Sequence, residues 1–424
     1  MAMIGPFPPA PRLAAGVSGG ADSLALALLA DAWARERGGC LHALIVDHGL
    51  RPEAAAEAGH TATLLTARGI EARILNLQNL HRGPGLAERA RAARFAALTI
   101  ACAQAGITDL LLGHHAADQA ETVVIRALSA TGLPGFAGMA ALREFSAIRV
   151  PRPLLGVTPA ALRQFLRDAG LPWVEDPSNT DPSALRSRIR TLRADRNGDG
   201  PATHALAAAA EAAGHARAAT ETEAADWLAA HVTLFPEGFA VLPSGPFPPA
   251  ALSSLIRAIS GAVYPPPTTA VAAMAATPTA ATIAGTRLLP ARKLGPGWLL
   301  IREAAAMAPP VPATQGTIWD NRFRLGAHAV AGLTIGPLGA DAARLRRLSP
   351  LPAAVMITLP TLRRGEKLFA VPHLRYPDAA SCTAVKLLPA TPHPAAAIPF
   401  VTATATVTAN PIPVGTVPEN ARQG

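Results

Sequence analysis

Lysine is almost missing from this chain. Of the 38 lysines and arginines, only three are lysines, and the first of them is Lys293. The lysine-containing phosphate loop Gly-x-x-x-x-Gly-Lys-Ser/Thr does not occur, which excludes the proteins that depend on it. Any phosphate bound by the first 292 residues is expected to be held by backbone amides, a metal ion or arginine.

Cysteine and long apolar runs are equally scarce. Cys40, Cys102 and Cys382 stand far apart without a Cys-x-x-Cys pair, which favours neither a disulfide framework nor a zinc site. Residues 1–11 carry four prolines and no basic segment, and the longest apolar stretches are rich in alanine and threonine and contain proline. We therefore expect no signal peptide, no membrane span and a cytoplasmic location.

Acidic residues are too few to balance the basic ones. The net charge is +9 and the isoelectric point is about 10.5, which favours a polyanionic partner. A GC-rich genome explains the preference for arginine over lysine, but it does not explain where the arginines cluster. Aromatic residues make up only 4% of the 424, so we expect helices packed largely through alanine, in two or three domains.

Short β-like runs alternate with longer helix-like runs between residues 12 and 150. The candidate strands are Leu13–Val17, Leu41–Val46, Ile70–Leu75 and Asp109–Leu112. The candidate helices are Asp22–Arg37, Glu53–Arg68, Leu86–Gln104 and Ala117–Leu128. This alternation predicts an α/β fold, a Rossmann-like parallel sheet with helices on both faces, whose ligands bind beyond the carboxyl ends of the strands.

The chain beyond residue 150 is organised differently. Helices are predicted at Pro159–Ala169, Pro201–Val232 and Ala250–Val263, and a β-like pair at Arg287–Leu289 and Trp298–Arg302. Further strand-like pieces are Gly316–Leu325, Ala354–Leu362 and Lys367–Pro372. We therefore expect a first domain over residues 1–200, a mainly helical domain over 201–305, a small α/β or β-rich domain over 306–389 and a disordered tail over 390–424.

The hexapeptide Ser-Gly-Gly-Ala-Asp-Ser at 18–23 stands between the first strand and the first helix. Glycines let the backbone turn sharply and approach an anion, hydroxyls can donate to it, and the helix N-terminus points free N–H groups at it. A plain Gly-Gly turn before a helix is the alternative. The predicted phosphate-binding residues are Ser18, Gly19, Gly20, Ala21, Asp22 and Ser23.

A second segment, residues 113–122, follows the fourth strand and opens a helix. Asp118 and Glu121 are three residues apart, so their carboxylates share one helical face near the phosphate loop. They are predicted to bind Mg²⁺ or to bind and deprotonate an amine. The alternative is that they only stabilise the helix N-terminus through their negative charge. The His114-His115 pair lacks the spacing of a closed zinc site, so contact with phosphate or orientation of a neighbouring side chain is preferred to metal binding.

Arginines cluster in two places. Arg91 and Arg94 lie three apart on a predicted helix, and either could neutralise a leaving phosphate group. A solvated helical face is the alternative for this first set. A second set follows the segment Trp173–Asn179 and forms a positive strip suited to an RNA backbone. Its members are Arg186, Arg188, Arg190 and Arg193, and a solvated helical face is the alternative.

These motifs together resemble the tRNA(Ile)-lysidine synthetase family of N-type ATP pyrophosphatases. The resemblance covers residues 12–195 and is weaker at Gly295–Glu303. It rests on Ser18–Ser23, Asp47–Arg51, Arg91–Phe95, Gly113–Thr122, Arg152–Leu155, Trp173–Asn179 and Arg186–Arg190. Two positions depart from the family pattern, because Ala117 stands where Asp or Asn is usual and Ser187 where Asn is usual.

The resemblance implies a ligase that attaches free L-lysine to the wobble cytidine of a tRNA(Ile) with a CAU anticodon. ATP and Mg²⁺ are the implied cofactors, with Asp22 and Asp118 as metal ligands and His48 and His114 beside ATP. Asp22, Arg94, Asp118 and Glu121 are the implied catalytic residues, and residues 201–305 the implied tRNA-binding domain. No membrane partner is expected, and the sequence leaves a homodimer open.

Other readings remain. A tRNA thiolase of the same class would need paired cysteines near the active face, and Cys40 and Cys102 do not fit that pattern. GMP synthetase and argininosuccinate synthetase share the loop but have no need of the arginine strip. A non-catalytic RNA-binding homologue is the reading from a different class, favoured by Ala117 and by the low-complexity tail.

Overall fold

The computed structural model describes most of the chain. The described residues are 1, 4–49, 52–77, 83, 85–129, 133–145, 147–175, 185–192, 195, 197–326, 332–378 and 387–390, of which 133, 134 and 185–187 are described by backbone alone. They fall into two compact units, the first comprising residues 1–218 and the second beginning at Ala219. The domain boundaries expected at residues 200 and 305 stay predictions.

The first unit is built on a six-stranded sheet. Its strands are β1 (Arg12–Val17), β2 (Cys40–Asp47), β3 (Glu71–Asn76), β4 (Asp109–Leu112), β5 (Leu142–Glu144) and β6 (Arg149–Pro151). Their order is β3-β2-β1-β4-β6-β5, and every neighbouring pair is parallel except β5 with β6. The predicted Rossmann-like parallel sheet is confirmed.

Helices cover both faces of this sheet. They are α1 (Ala21–Arg35), α2 (Ala54–Thr66), α3 (Leu86–Ala105), α4 (Ala116–Leu128), α5 (Leu133–Phe136), α6 (Pro159–Asp168) and α7 (Leu185–Leu192), and the division between the units falls inside α8 (Pro201–His231). Residues of α1, α2 and α6 pack with alternate residues of β1 and β2, such as Leu13, Ala15 and Val17. Residues of α3 pack on the other face, with Ala14 and Val150.

The sheet order explains where a site forms. The crossover helices α1 and α2 carry the chain from β1 outward to β3, and α3 then returns it over the opposite face to β4 beside β1. The direction of winding therefore reverses between β1 and β4, and ligands of such sheets bind in the crevice at the carboxyl ends of the two strands. The loop after β1 and the segment after β4 both open into this crevice.

The described residues of the second unit form three antiparallel sheets. The first has the order β7-β8-β11-β10-β9, with strands β7 (Thr233–Phe235), β8 (Phe239–Leu242), β9 (Ala281–Ile283), β10 (Thr286–Pro290) and β11 (Trp298–Arg302). Helices α9 (Pro249–Ser260) and α10 (Thr268–Ala276) pack on one of its faces. The predicted pairing of the strands around Leu288 and Leu300 is confirmed, because those two residues face each other in register.

The remaining elements of the second unit are short. They are β12 (Val311–Pro312), β13 (Ile318–Trp319), β14 (Phe323–Leu325), β15 (Thr334–Pro337), α11 (Ala342–Leu345), α12 (Ala353–Met356), β16 (Pro360–Arg364), β17 (Lys367–Ala370) and β18 (Leu387–Pro389). They form the sheets β12-β15-β16-β17 and β13-β14-β18. The strand predicted at Ala354–Leu362 is wrong in its first half, where one helical turn buries Val355 and Met356.

The segment predicted as one strand at Gly316–Leu325 is a hairpin instead. Asp320 and Asn321 both adopt left-handed backbone angles and turn the chain between β13 and β14. The buried Asp320 carboxylate accepts hydrogen bonds from Arg302 and Arg322, at 2.9 and 2.8 Å from their Nε atoms. Burial opposes ionisation of Asp320, but its hydrogen bond to Arg302 and the charge of Arg322 together lower its pKa.

Candidate active site at the carboxyl edge of the parallel sheet

The loop after β1 is held in shape by its own two serines. Ser23 Oγ accepts the backbone N–H of Ser18 at 3.0 Å, lies 3.1 Å from Ser18 Oγ and donates to the Gly20 carbonyl oxygen at 3.1 Å. Gly19 has φ +83°, a left-handed conformation that favours glycine. Gly20 is the N-cap residue of α1. Because glycine has no side chain, Gly20 makes no side-chain hydrogen bond to the first N–H groups of the helix.

Val174 lies over this loop. Its backbone N–H donates to the Gly19 carbonyl oxygen at 2.9 Å, and a Cβ on Gly19 would lie 3.4 Å from its side chain. A cavity of about 210 Å³ opens beside Gly19, between the loop, α2 and the segment that carries Val174. Its walls are Gly19, Leu24, His60, Thr61, Leu64, Pro172, Trp173 and Val174.

The junction of β4 and α4 is packed against the start of α1. A Cβ on Gly113 would lie 3.2 to 3.3 Å from backbone atoms of Asp22 and Ser23, so the absence of a side chain permits this close approach. The first eight residues of α4, Ala116 to Val123, are all buried. The two predicted motifs are therefore adjacent at the switch point of the sheet.

His115 joins the two motifs. It is the N-cap residue of α4. Its ring Nδ1 accepts a hydrogen bond from the backbone N–H of Asp118 at 3.3 Å, and its backbone N–H donates to Asp118 Oδ2 at 3.1 Å. Its Nε2 lies 3.4 Å from Asp22 Oδ2. A buried imidazole thus stands between the carboxylates of Asp22 and Asp118.

The protonation of His115 follows from these neighbours. Burial lowers its pKa, but the carboxylates of Asp118, Asp22 and Glu121 outweigh burial and raise the pKa above its usual value. The neutral ring is the form that accepts the Asp118 N–H, whereas the protonated ring directs Nδ1 at Asp118 Oδ2, 3.5 Å away. Both forms keep Nε2 directed at Asp22.

Glu121 is paired with an arginine from α7. Its side chain is fully buried, and its Oε1 accepts a hydrogen bond from Arg190 Nε at 2.5 Å. Burial opposes the charge on Arg190, but Glu121, Asp118 and Asp22 together raise its pKa. Within the described part of the chain, Glu121 Oε2 and Asp22 Oδ1 are buried without a hydrogen-bond partner.

The structure brings most of the predicted site residues together at this edge. Arg94 is half-buried on α3, with its guanidinium beside Gly16 of β1, and burial together with Arg91 lowers its pKa. His48 follows β2 and His114 follows β4, both half-buried at the same edge. Ala21 is the first residue of α1.

The predicted arginine strip is only partly described. Its backbone forms α7, a helix that the sequence did not predict, with Arg188 exposed and Arg190 directed at Glu121. Arg186 is described by backbone alone, and Arg193 lies outside the described residues, as do Leu50, Arg51 and Asp176–Asn179. Ala117 is 3% exposed and lies close to Gly198.

His115 is the functional candidate that sequence reasoning passed over in favour of His114. The spacing gave only a partial signal, because Asp118 stands three positions later as in a capping box but histidine is not among the usual N-cap residues. Nothing in the sequence, however, indicated that the same imidazole would reach Asp22, which lies 93 positions earlier.

The donor set at this edge suits a hard cation bound together with phosphate. Mg²⁺ commonly uses one or two carboxylates and completes its shell with phosphate oxygens and water. Asp22 offers a buried, unpartnered Oδ1 beside the loop, so the residues present fit such an ion. The described residues contain no group of three or more His, Cys, Asp or Glu side chains that would hold a metal by themselves.

Comparison with known proteins defines the class first. Residues 2–194 match the PP-loop domain, which is the ATP-binding domain whose fold and loop are described above. Among solved structures, a U34-tRNA thiolase NcsA from Methanococcus maripaludis, recorded with its 4Fe-4S cluster, matches at 18% identity. That match covers 47% of this chain and 70% of the thiolase, with a TM-score of 0.41.

Curated relatives then define the family. A tRNA(Ile)-lysidine synthase from Ruegeria pomeroyi is 34% identical over 390 residues, which is 86% of this chain and 89% of the relative. The chain belongs to the tRNA(Ile)-lysidine synthase family. Relatives of the same name from Hyphomonas neptunium (48% identical) and a Bradyrhizobium species (38% identical) align over 42% and 52% of this chain. These alignments span only 49% and 62% of the two relatives' own length.

Proposed function

We propose that the protein ligates L-lysine to C2 of the wobble cytidine in the tRNA(Ile) whose anticodon is CAU. ATP would be split into AMP and pyrophosphate, by way of an adenylated cytidine. The observation that carries this proposal is the imidazole of His115, because it places the acidic start of α4 directly against the phosphate loop. The similarity to relatives named tRNA(Ile)-lysidine synthase supports the choice of substrate.

In the first step the cytosine O2 attacks the α-phosphate of ATP. The loop residues from Ser18 to Ser23 would bind the phosphates through free N–H groups of α1, and Arg94 would neutralise charge on the departing pyrophosphate. His48 and His114 are proposed to line the nucleotide. The half-buried position of Arg94 beside β1 supports this role, since a guanidinium there keeps its charge close to the loop.

Asp22 is the residue best placed to hold Mg²⁺ against the triphosphate, with Asp118 as a second candidate. A bound Mg²⁺ supplies charge stabilisation at the phosphate oxygens. His115 keeps the Asp22 carboxylate oriented, because its Nε2 faces Oδ2 and leaves Oδ1 without a partner.

In the second step the ε-amine of lysine attacks C2 and AMP leaves. The amine must be neutral to attack, so a carboxylate has to bind the ammonium and accept a proton. Asp118 and Glu121 are the proposed pair. Arg190 already neutralises one oxygen of Glu121, so we propose that Asp118 accepts the proton while Glu121 and Arg190 keep the pocket in shape.

Several further expectations from the sequence stay proposals. The tRNA backbone is proposed to contact Arg186, Arg188, Arg190 and Arg193. Arg190 also forms the ion pair with Glu121. A homodimer and a cytoplasmic location are not needed for the chemistry and stay predictions. Within the described residues no helix is both long and apolar enough to cross a bilayer.

A thiolase activity is the closest rival, and the described cysteines do not favour it. Cys102 is buried in α3, where burial raises its pKa to about 11. Cys40 is exposed, but it starts β2 and therefore lies at the amino edge of the sheet, opposite the phosphate loop. A catalytically inactive RNA-binding homologue is distinguished by ATP–pyrophosphate exchange, which it would lack.

The deciding experiment incubates the protein with ATP, lysine and an unmodified tRNA(Ile) transcript, and analyses the nucleosides by mass spectrometry. We expect lysidine in place of one cytidine, with one AMP released per lysidine. Thiolated nucleoside, or no change in the tRNA, would contradict the proposal.

Asp118→Asn tests the proton acceptor. The variant retains the size of the side chain but loses its basicity, so we expect AMP release that depends on lysine to fall about 100-fold or more. Asp168→Asn is the matched control, because Asp168 is an exposed carboxylate at the end of α6. Wild-type turnover by Asp118→Asn would remove Asp118 from the mechanism.

A further inference from the structure

Four arginines of the first unit converge on one face of the sheet. On α3, Arg91, Arg94 and Phe95 stand at positions i, i+3 and i+4, so they share one side of the helix. Across from them lies the β5–β6 hairpin. Arg143 pairs with Val150, whose side chain packs in the same core as α3, and Arg152 stands two residues beyond Val150. Strand alternation therefore places Arg143 and Arg152 on the face that α3 covers.

Aromatic contact brings the helix and the hairpin together. The rings of Phe95 and Phe145 lie 5.0 Å apart between centroids, and the Arg143 guanidinium lies 4.8 Å from the centre of the Phe145 ring. Arg94 Nη2 would lie 3.9 Å from a Cβ built on Gly16, which stands two residues before the phosphate loop. We name Arg91, Arg94, Arg143 and Arg152 the arginine cluster. The cluster reaches the carboxyl edge of the sheet through Arg94 and through Arg152, which follows the last residue of β6, while Arg143 stands opposite the middle of β6.

None of these four arginines is neutralised by the protein within the described residues. No ion pair joins any of them to a carboxylate there, in contrast to Arg149, which lies 2.6 Å from Asp109, and to Arg190. Arg152 Nη1 donates to the Ala140 carbonyl oxygen at 2.8 Å, while its Nε is buried without an acceptor. Burial, together with Arg143 and Arg91, lowers the pKa of Arg152 to about 10.

Gathering four cations without a counter-charge is unfavourable unless an anion joins them. We propose that Arg91, Arg143 and Arg152 form a second anion subsite, which holds a backbone phosphodiester of the RNA substrate next to the reacting nucleotide. The inference rests on the proposed function, because it takes the substrate to be tRNA. Arg94 connects this subsite to the ATP phosphates.

Position favours an RNA backbone over ATP itself as the occupant. Arg143 stands on β5, three strands away from β1, which is roughly 14 Å at ordinary strand spacing. A triphosphate held by the loop amides ends near β1. A polynucleotide carries a charge at every residue and can therefore contact the loop and the cluster at the same time. Arg91 and Arg143 are also exposed, as a macromolecular partner requires.

The test uses Arg91→Ala and Arg143→Ala, both exposed and away from the loop, in the full chain. Affinity for the tRNA(Ile) transcript is measured by filter binding at several salt concentrations, and affinity for ATP by calorimetry. We expect each variant to weaken tRNA binding about 3- to 10-fold and to reduce the slope of log Kd against log salt by about one. The affinity for ATP should stay within twofold of wild type.

Arg68→Ala is the matched control. Arg68 is an exposed arginine just beyond the end of α2, at the amino edge of the sheet, so its removal subtracts the same charge far from the cluster. Unchanged tRNA affinity and salt slope in Arg91→Ala and Arg143→Ala would overturn the subsite. A loss of ATP affinity as large as the loss of tRNA affinity would overturn it too, by assigning the cluster to the nucleotide.

Lysidine formation by the wild type, measured in the same preparation, separates the two proposals. If the wild type makes lysidine and the arginine variants bind tRNA normally, the subsite fails and the proposed function stands. If the wild type makes none but the variants lose affinity for RNA, the subsite stands and the proposed function fails.

Discussion

Among single residues, Gly19 has the strictest backbone requirement in the phosphate loop. Its φ of +83° is unfavourable for any residue with a side chain, and a Cβ there would lie 2.7 Å from Thr61 Oγ1. We expect Gly19→Ala to lower the free energy of unfolding by about 1 to 2 kcal/mol and to weaken ATP binding at least tenfold. Urea denaturation and calorimetry measure the two effects.

Gly20→Ala is the control for that prediction. Gly20 has φ −70°, and the nearest atom to a Cβ would be Ser18 Oγ at 3.6 Å, so alanine fits without strain. We expect a loss of stability below about 1 kcal/mol. Equal losses in the two variants would show that the left-handed conformation of Gly19 is not what the loop requires.

His115 makes stability depend on pH. Its folded pKa is raised above the unfolded value of about 6.5, so its contribution is complete below that pH and is lost as the pH rises through the folded pKa. We expect the free energy of unfolding of the wild type, relative to His115→Asn, to fall as the pH rises above about 6.5. Asparagine is a good N-cap and does not titrate, so the variant retains the cap of α4.

The measurement is urea denaturation of both proteins at four pH values on both sides of about pH 6.5. A difference between wild type and variant that stays constant with pH would mean that the carboxylates of Asp22, Asp118 and Glu121 do not raise the pKa of His115.

At the scale of whole elements, α7 is tied to α4 by the pair of Arg190 and Glu121. Removing Arg190 would leave a fully buried carboxylate without its counter-charge, which costs about 3 to 5 kcal/mol for a pair buried on both sides. Arg190 is partly exposed, so we expect Arg190→Ala to cost on the order of 2 kcal/mol, and Arg188→Ala, from an exposed position on the same helix, below about 0.5 kcal/mol.

Thermal unfolding of the two variants compares these costs directly. Equal stability of Arg190→Ala and Arg188→Ala would mean that water or an RNA ligand, and not Glu121, is the main partner of Arg190.

The elements themselves were largely predictable, and the reason is local. The first four strands and the helices between them were predicted to within one or two residues, because apolar periodicity, Gly turns and helix starts are properties of neighbouring residues. The helix α7 was missed because three arginines within five residues conceal its apolar periodicity. The strand predicted at Ala354–Leu362 failed because a short apolar run looks alike in a buried helical turn and in a strand.

At the scale of the whole molecule, the chain carries two units with separate cores. The first unit contains the parallel sheet and every described residue of the proposed catalytic site, and the second contains the antiparallel sheets. The basic character of the whole chain favours a polyanion, but the arrangement of its arginines is uneven. Within the described part of the chain, some arginines are paired with carboxylates, and those of the arginine cluster are not.

The amino-acid sequence alone determined the phosphate loop, the acidic start of α4, the sheet type and the family resemblance, because each depends on residues within one short segment. The contacts of His115 with Asp22, of Arg190 with Glu121 and of Phe95 with Phe145 depend instead on the order of strands in the sheet. Those partners stand between 50 and 93 positions apart, and the reversal of winding between β1 and β4 brings the motifs after those two strands into one crevice. Tertiary structure therefore decided which carboxylates are buried, which arginines neutralise them and which arginines have no counter-charge among the residues that the structure describes.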